Sequence, residues 1–366
     1  MAGDYYLEVR SPTGTVLGQI DDYWTLGYHK EVNEPGWLKF SLDGNHMKLS
    51  LFSDKSQVLV MRSDSVNGIA PYEDFCGVYR SQLRRTTEKG DSIEIECPGI
   101  QHILSWRVNA FYSGLANRST FTNKAAETIM KTLMNYNFTA LATTGNNRKR
   151  NGQMTAPYTI SVVADSLRGN SMDRNNSGVN ILKELAEIAG IGGLDFKLTR
   201  TGAAAWQFDV GYPYLGTNKA STVIFSVDNG NMADPSYQYD AIDEKTVAIV
   251  AGQDQASKRQ FAVRTGNNYS ASNDIEVWVD ARNDGASTAG LNAAGDKALR
   301  AQRANETFKY TVRQSPASRY KVDYDLGDVV AARYYTIAIS QKVQSVTIEY
   351  EKSSGKEQIT PGLKNV

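Results

Sequence analysis

Along residues 1–97 apolar side chains recur at every second position, and that period constrains the fold more than any other feature of the chain. Tyr5, Leu7 and Val9 alternate with Tyr6, Glu8 and Arg10, as in a strand with one buried and one wet face. The pattern returns at Val16–Ile20, Trp24–Tyr28, Trp37–Leu42, Gln57–Arg62, Tyr72–Arg80 and Ser92–Cys97. Ser11-Pro-Thr-Gly14 and Asn33-Glu-Pro-Gly36 punctuate it as turn clusters. About seven short strands at this spacing predict an antiparallel barrel or sandwich.

At Cys97-Pro-Gly99 the period lengthens. Ile100, Ile103, Leu104 and Trp106 fit one or two helical turns opened by Pro98. A helix capped by Thr122 or Asn123 is expected to run to Met134, with Ala126, Ile129, Met130 and Leu133 on one stripe. A second, opened by Ser177 or Asn180, carries Leu182, Leu185 and Ala189 and ends at Gly190. Between them, residues 135–176 are polar and carry no clear assignment. Within that stretch Gly145-Asn-Asn-Arg-Lys-Arg-Asn-Gly152 reads as an exposed loop tip, its basic run solvated and Asn146–Arg150 dispensable for folding. Strands at Leu194–Leu198 and Trp206–Val210 follow.

Strand patterns then resume at Val223–Val227, Thr246–Val250, Gln260–Arg264 and Ile275–Val279. A helix is expected within Thr288–Thr307, followed by strands at Phe308–Arg313, Tyr320–Tyr324, Asp328–Ala332, Thr336–Ile339 and Val343–Tyr350. Asp325-Leu-Gly327 reads as a tight turn. The expected class is α+β, mainly β. Its three parts are a β-barrel over 1–97, an α/β segment with a long polar loop over 98–212, and a second β-barrel over 213–366 with a helical insertion at about 286–306.

Composition narrows the function. Lys plus Arg and Asp plus Glu both number 40, which argues against gripping nucleic acid or anionic membrane through a basic face. No window approaches the ~18 apolar residues of a membrane span, and Met1–Arg10 lacks the pattern of a signal peptide. Cys76 and Cys97 form no CxxC pair; Cys97 falls on the apolar side of its strand and reads as a small buried hydrophobe. Tyr is over-supplied, at 20 residues against 11 Phe and 5 Trp, which suits a packed core plus a protein–protein surface.

Motifs for chemistry are missing. His29, His46 and His102 are too scattered for a zinc site, and no GxSxG elbow occurs. Gly290-Leu-Asn-Ala-Ala-Gly295-Asp-Lys297 lacks the Lys and Ser/Thr of a phosphate loop and falls in a helix pattern. Gly190-Ile-Gly192-Gly193 follows a helix instead of opening one, so it reads as a cap and turn, not a dinucleotide loop. Asp21-Asp22, Asp240, Asp243-Glu244 and Asp280/Asp284 qualify as acid–base candidates by residue type alone. Asp280-Ala-Arg-Asn-Asp284-Gly285 departs from a calcium loop at Arg282 and lacks the terminal Glu. No catalytic, cofactor-binding or metal-binding residue is assigned, and no cofactor is expected.

Four strings, in order along the chain, carry a family resemblance. Tyr28-His-Lys-Glu-Val-Asn33-Glu-Pro-Gly36-Trp-Leu-Lys-Phe-Ser-Leu42 resembles the turn between early strands of long-tailed phage tail-hub (baseplate hub) proteins. Ile93-Glu-Ile-Glu-Cys-Pro-Gly99 through Arg107 is similar to the element closing their first barrel. Val247–Gly252 with Arg259 and Glu276–Ala281 resembles the start of their second, and Tyr320–Val330, with Leu326-Gly-Asp328, a late turn.

The resemblance implies two tail-tube-like barrels per chain and a non-enzymatic virion protein of the siphophage tail tip. Three copies would present six barrels, adapting a sixfold tube to a threefold tip around the DNA exit channel. Implied partners are further copies of the chain as a homotrimer, a distal tail protein, the tape-measure protein, and fibre or receptor-binding proteins, with DNA only in passage. The sequence after the last expected barrel strands is short, so the peptidoglycan-cleaving domain that some hubs append is not expected. A carbohydrate-active or cell-wall-binding β-protein is the alternative, and a hub from a contractile machine fits the same strings.

Overall fold

The alternation of the first segment becomes eight strands in a computed structural model, which describes residues 4–88, 90–112, 118–175, 177–254, 258–282, 288–316 and 318–366. They are β1 (Asp4–Arg10), β2 (Val16–Ile20), β3 (Thr25–Glu31), β4 (Trp37–Asp43), β5 (Gln57–Asp64), β6 (Ile69–Val78), β7 (Ser81–Thr87) and β8 (Gly90–Pro98). In β4 the period is literal: Leu38, Phe40 and Leu42 are buried while Trp37, Lys39 and Ser41 are half-exposed. One sheet has the order β2-β1-β5-β6, and β3-β4-β8-β7 enter another. The unanticipated strand is β7, an edge strand whose Leu83 stays exposed, so it has no buried face to leave a period in the sequence.

The middle segment opens with a 3₁₀ turn at Ile100–Trp106 that buries Ile100, Ile103 and Leu104. β9 (Thr120–Ala125) precedes α1 (Ala126–Phe138), then come β10 (Thr159–Val162), β11 (Ser171–Asn175), α2 (Ile181–Gly192), β12 (Asp195–Arg200) and β13 (Ala205–Gly211). Thr122 and Asn123 therefore cap nothing: they lie in β9, which pairs with β11, and the helix starts later. α2 begins at the expected cap, where the Asn180 side chain accepts from Lys183 N, but it runs through Gly190 and stops at left-handed Gly193, φ +66°.

The basic loop also departs from expectation. Arg148 is 2% exposed, its guanidinium donating to Asn137 Oδ1 (3.2 Å), Arg150 O (2.7 Å) and Val108 O (3.3 Å). A planar fork satisfied by carbonyl oxygens can be buried, so Asn146–Arg150 is not a dispensable tip. Only Lys149 and Arg150 of the run are exposed.

The last segment holds β14 (Ile224–Ser226), β15 (Met232–Asp240), β16 (Val247–Ala251), β17 (Phe261–Thr265), β18 (Glu276–Asp280), α3 (Thr288–Ala301), β19 (Asn305–Val312), β20 (Val329–Tyr334), β21 (Ile337–Glu351) and β22 (Lys356–Asn365). The two strands expected at Thr336–Ile339 and Val343–Tyr350 are one strand, β21, which starts at Ile337 with Thr336 in the turn before it and is bulged at Val343/Ser345. Tyr320–Tyr324 is a bridged turn, not a strand; its two tyrosines are buried and Val322 is exposed. β15 and β19 form a two-stranded ribbon, and between its ends the chain builds a module, the sheet β17-β16-β18 backed by α3.

β21 decides the architecture. It pairs with β20 and β22 of its own segment and, through Ile348 opposite Tyr28 and Tyr350 opposite Leu26, with β3 of the first. A sheet running β14-β20-β21-β3-β4-β8-β7 thus joins the two ends of the chain, and Leu7, Tyr28, Phe40, Phe225, Val330 and Ile348 share one core. The chain is α+β and mainly β, as its periodicity implies. Among the described residues, however, its sheets stay open; neither outer segment closes into a barrel, because β21 spends its pairing on the opposite end of the chain.

Candidate assembly site and inter-segment joints

The strings singled out in the sequence meet in space. In the β3–β4 turn Asn33 and Gly36 both have positive φ, +67° and +66°. A Cβ on Gly36 would sit 2.0 Å from the His29 carbonyl oxygen, so only glycine fits. Gly99, from the second string, donates its N–H to Gly36 O, and a Cβ on it would sit 1.9 Å from Pro35 O. The side chain of Asn33 accepts from Phe196 N (2.7 Å) and donates to Asp195 Oδ1 (3.3 Å). Asp195, nearly buried, also binds Lys342 Nζ (2.9 Å) and accepts from Leu215 N (3.1 Å). One carboxylate therefore ties together all three segments.

A second joint lies between the chain ends. Asp74 is fully buried, accepting from Tyr28 OH (2.6 Å), Lys30 Nζ (2.7 Å) and Tyr320 OH (3.2 Å), with Lys321 Nζ at 3.7 Å. Burial alone would raise its pKa; the Lys30 and Lys321 ammoniums and the bonds from Lys30 and Tyr28 outweigh that and hold it at about 2. Beside it Arg62 donates to Tyr5 OH (2.8 Å), Tyr72 OH (3.3 Å) and Glu357 Oε1 (3.2 Å). The Asp74 carboxylate and the Arg62–Glu357 pair are closed off from solvent, so their chemistry is cohesion. Asp328 makes a third joint, accepting from Thr217 N, Asp325 N and Lys219 Nζ beside left-handed Gly327, φ +86°.

Of the acid–base candidates, Asp21 and Asp243 are exposed and Asp22 pairs with His46 (2.9 Å), while the others are held by local partners. Glu244 accepts from Asn268, Asp240 from Ile242 N, and Asp280 pairs with Arg259 and Arg282. Asp284 and Gly285 lie outside the described residues. His29 bonds Thr347 and stacks on Trp37, His46 accepts from Lys48 N, and His102 meets Ser105. Gly290–Lys297 lies within α3. Among the described residues no group of three or more His, Cys, Asp or Glu could hold a metal ion, and no helix is long and apolar enough to cross a membrane. Both cysteines are free and buried, and Cys76 Sγ accepts from Arg200 Nη2 at 3.2 Å.

What the surface offers is docking area. Between the inserted module, the ribbon and β22 runs a groove of about 940 Å³. Of its three acidic lining residues, Glu244, Asp296 and Glu306, the first two are engaged by Asn268 and Arg264. On the module, α3 covers one face of the sheet through Leu291 and Leu299 packed on Ala248 and Val250. The opposite face exposes Phe261, Val263 and Trp278. The Phe261 and Trp278 rings meet edge-to-face, centroids 5.8 Å apart. Sequence periodicity had placed these residues on strands but could not say that the alternate face, not this one, received the helix.

Sequence and fold comparisons converge. No curated protein matches the chain by sequence. The fold is similar to that of a tail protein from Neisseria meningitidis (TM-score 0.58, 12% identity, covering 98% of this chain and 96% of that one). It is similar also to a 43 kDa tail protein of prophage MuSo2 from Shewanella oneidensis (0.58, 11%, 100% and 98%) and to prophage tail protein gp18 from Listeria monocytogenes (0.56, 12%, 98% and 94%). The family model described as Siphovirus ReqiPepy6 Gp37-like protein matches residues 6–362. The chain therefore belongs to the siphovirus ReqiPepy6 Gp37-like family of phage tail proteins.

Proposed function

We propose that three copies of this chain form a non-catalytic hub at the distal tip of a siphophage tail, adapting a sixfold tube to a threefold end and encircling the DNA exit channel. Residues 1–97 and 213–366 serve as two tube-type modules, and residues 98–212 as the domain beside them. The observation that carries this reading is the β3–β21 pairing, which fixes β structure from both ends of the chain side by side in one sheet. A ring subunit needs such rigidity if each copy is to fill two of six positions. The balanced charge of 40 against 40 fits a channel through which DNA slides, since a cationic lining would retain it by counterion release. The partners in this role are two further copies, a distal tail protein, the end of the tape-measure protein, and fibre or receptor-binding proteins.

Native mass spectrometry of the purified protein and of dissociated tails tests the proposal. The expected species has three times the 40.3 kDa chain mass. A chain that stays monomeric and never co-assembles with tail components would overturn it.

A further inference from the structure

We propose that the groove between the inserted module, the β15–β19 ribbon and β22 receives an extended acidic peptide segment of another protein. Strand edges hold the segment by its backbone, and lysine and arginine hold it by its carboxylates. The inference is independent of how many copies of the chain assemble. Side chains alternate between the two faces of a strand, so a groove lined by a strand face meets every second residue. This groove instead meets runs of neighbours: residues 264–268 at the end of β17 and beyond, 305–309 in β19, and 363–366 at the end of β22. It is therefore walled by strand edges. Each of these strands pairs on one side only among the described residues. On the open side of β19 the Phe308 carbonyl accepts from the Gln341 side-chain amide (3.1 Å) and the Glu306 carbonyl from that of Asn365, where a sheet would supply another strand. Adding an extended segment to such an edge is a recurrent mode of peptide recognition.

Charge selects the class of peptide. Six cations line the groove, Lys245, Arg264, Arg300, Arg303, Lys309 and Lys364, in a chain whose total charge is zero. Arg264 is engaged by Asp296 (2.8 Å), and Arg300 donates to the Asp296 and Ile191 carbonyls. The other four pair with no carboxylate among the described residues. Of the acidic lining residues, Glu244 accepts from Asn268, Asp296 is held by Arg264, and Glu306 accepts from the Tyr237 hydroxyl. With the Val366 carboxylate counted beside them, positive charge still leads by six to four, and Asp240 and Asp243 stand outside the lining. Three of the unpaired cations converge. Lys245 N donates to Gln302 O (2.8 Å), next to Arg303, while Asn365, next to Lys364, bonds Glu306 three residues further on.

The floor favours a peptide over a bare polyanion. Leu299, Phe308, Ile339 and Leu363 reach the groove between the charges, and covering them rewards apolar side chains that a phosphodiester chain lacks. A strand of alternating acidic and apolar residues offers one set to the cations and the other to the floor. The volume of about 940 Å³ is at the top of the ~300–1,000 Å³ range of small-molecule pockets, which suits several residues of an extended chain.

The test uses the full chain and the fluorescence anisotropy of labelled synthetic peptides. A peptide of alternating Val and Glu should bind saturably, weaken as salt rises, and bind roughly tenfold or more tighter than Val–Lys and Val–Gln repeats. Arg303→Glu with Lys364→Glu, both at exposed positions, should leave the melting temperature in place and reduce the preference for Val–Glu over Val–Lys by roughly tenfold or more. Should that variant misfold, Lys309→Glu alone should shift the preference in the same direction. The Val–Glu peptide should also slow amide exchange in residues 264–268 and 305–309. An oligothymidylate that binds as tightly as the Val–Glu peptide, and is lost with the same variant, overturns the peptide assignment in favour of a phosphate polyanion. No saturable binding below ~1 mM, a preference untouched by charge reversal, or protection confined to other segments overturns the groove as the site. Each of these results leaves the hub reading intact, since native mass spectrometry decides copy number separately.

Discussion

Replacing Asp74 by Ala removes the acceptor at the centre of the joint between the two ends of the chain. Lys30 loses its carboxylate at 2.7 Å and keeps only the Tyr320 hydroxyl at 3.0 Å, while the Tyr28 hydroxyl loses its acceptor. Breaking a buried ion pair from one side costs about 3–5 kcal/mol, and the slight exposure of Lys30 places this case near 3 kcal/mol. That is a large share of the ~5–15 kcal/mol that holds a typical folded chain. Urea unfolding at pH 7 measures it, and Asp74→Ala combined with Lys30→Met should recover most of the loss, because the stranded ammonium is then gone.

The same site sets an acid limit. The Asp74 carboxyl is depressed to about 2 in the folded chain from an ordinary 3.8, so its stabilisation is complete above pH 4 and is lost as pH falls toward 2. At ~1.4 kcal/mol per pKa unit, the gap between wild type and Asp74→Ala should narrow by about 2 kcal/mol over that interval. A variant within 1 kcal/mol of wild type at pH 7, or a gap that is flat with pH, would refute the reasoning.

Four further perturbations test the glycine turns and the buried basic loop. Gly36→Ala should destabilise by about 1–3 kcal/mol, since it forces a methyl group onto the His29 carbonyl at a positive φ; thermal melting reads it. Gly327→Val should cost ~1 kcal/mol or more for the same backbone reason, with Leu215 Cβ 3.1 Å from the added carbon, and an unchanged melting curve would count against it. Arg148→Ala should cost about 1–3 kcal/mol by stranding Asn137 Oδ1 and the Val108 and Arg150 carbonyls, and deleting Asn146–Arg150 should abolish soluble expression.

Much of the β architecture was legible because half-buried strands write their burial into the sequence. β4 and β8 read directly, each with one apolar face. Two strands escaped for different reasons: Ser81–Thr87 is an exposed sheet member with no apolar face, whereas Lys356–Asn365 buries Ile359 and Pro361 but places Glu357 on that same face, which breaks the apolar period. Tyr320–Tyr324 gave the opposite error, since buried tyrosines flanking Val322 mimic a strand while the backbone closes a local bridge. The barrel expectation failed at long range. Nothing local in Ile337–Glu351 announces that its partner is Thr25–Glu31, more than 300 residues earlier.

The joints were hidden for the same reason. Asp74 and Asp195 draw their partners from segments that alternation can place on strands but cannot pair, so both look like ordinary strand carboxylates. Arg148 misled through composition: basic residues between Asn and Gly suggest solvent, whereas this guanidinium is ringed by carbonyl oxygens. The glycines were a fairer signal. Gly36, Gly99 and Gly327, all within the strings that carried the family resemblance, occupy places where a Cβ would strike backbone or require a positive φ.

Imaging the intact tail tip at residue resolution tests the central claim most directly. The account predicts three copies of this chain around the channel, with the 1–97 and 213–366 strands of each placed side by side in successive sixths of the ring. Six copies, a single copy, or a ring in which only one of the two segments faces the axis would contradict it.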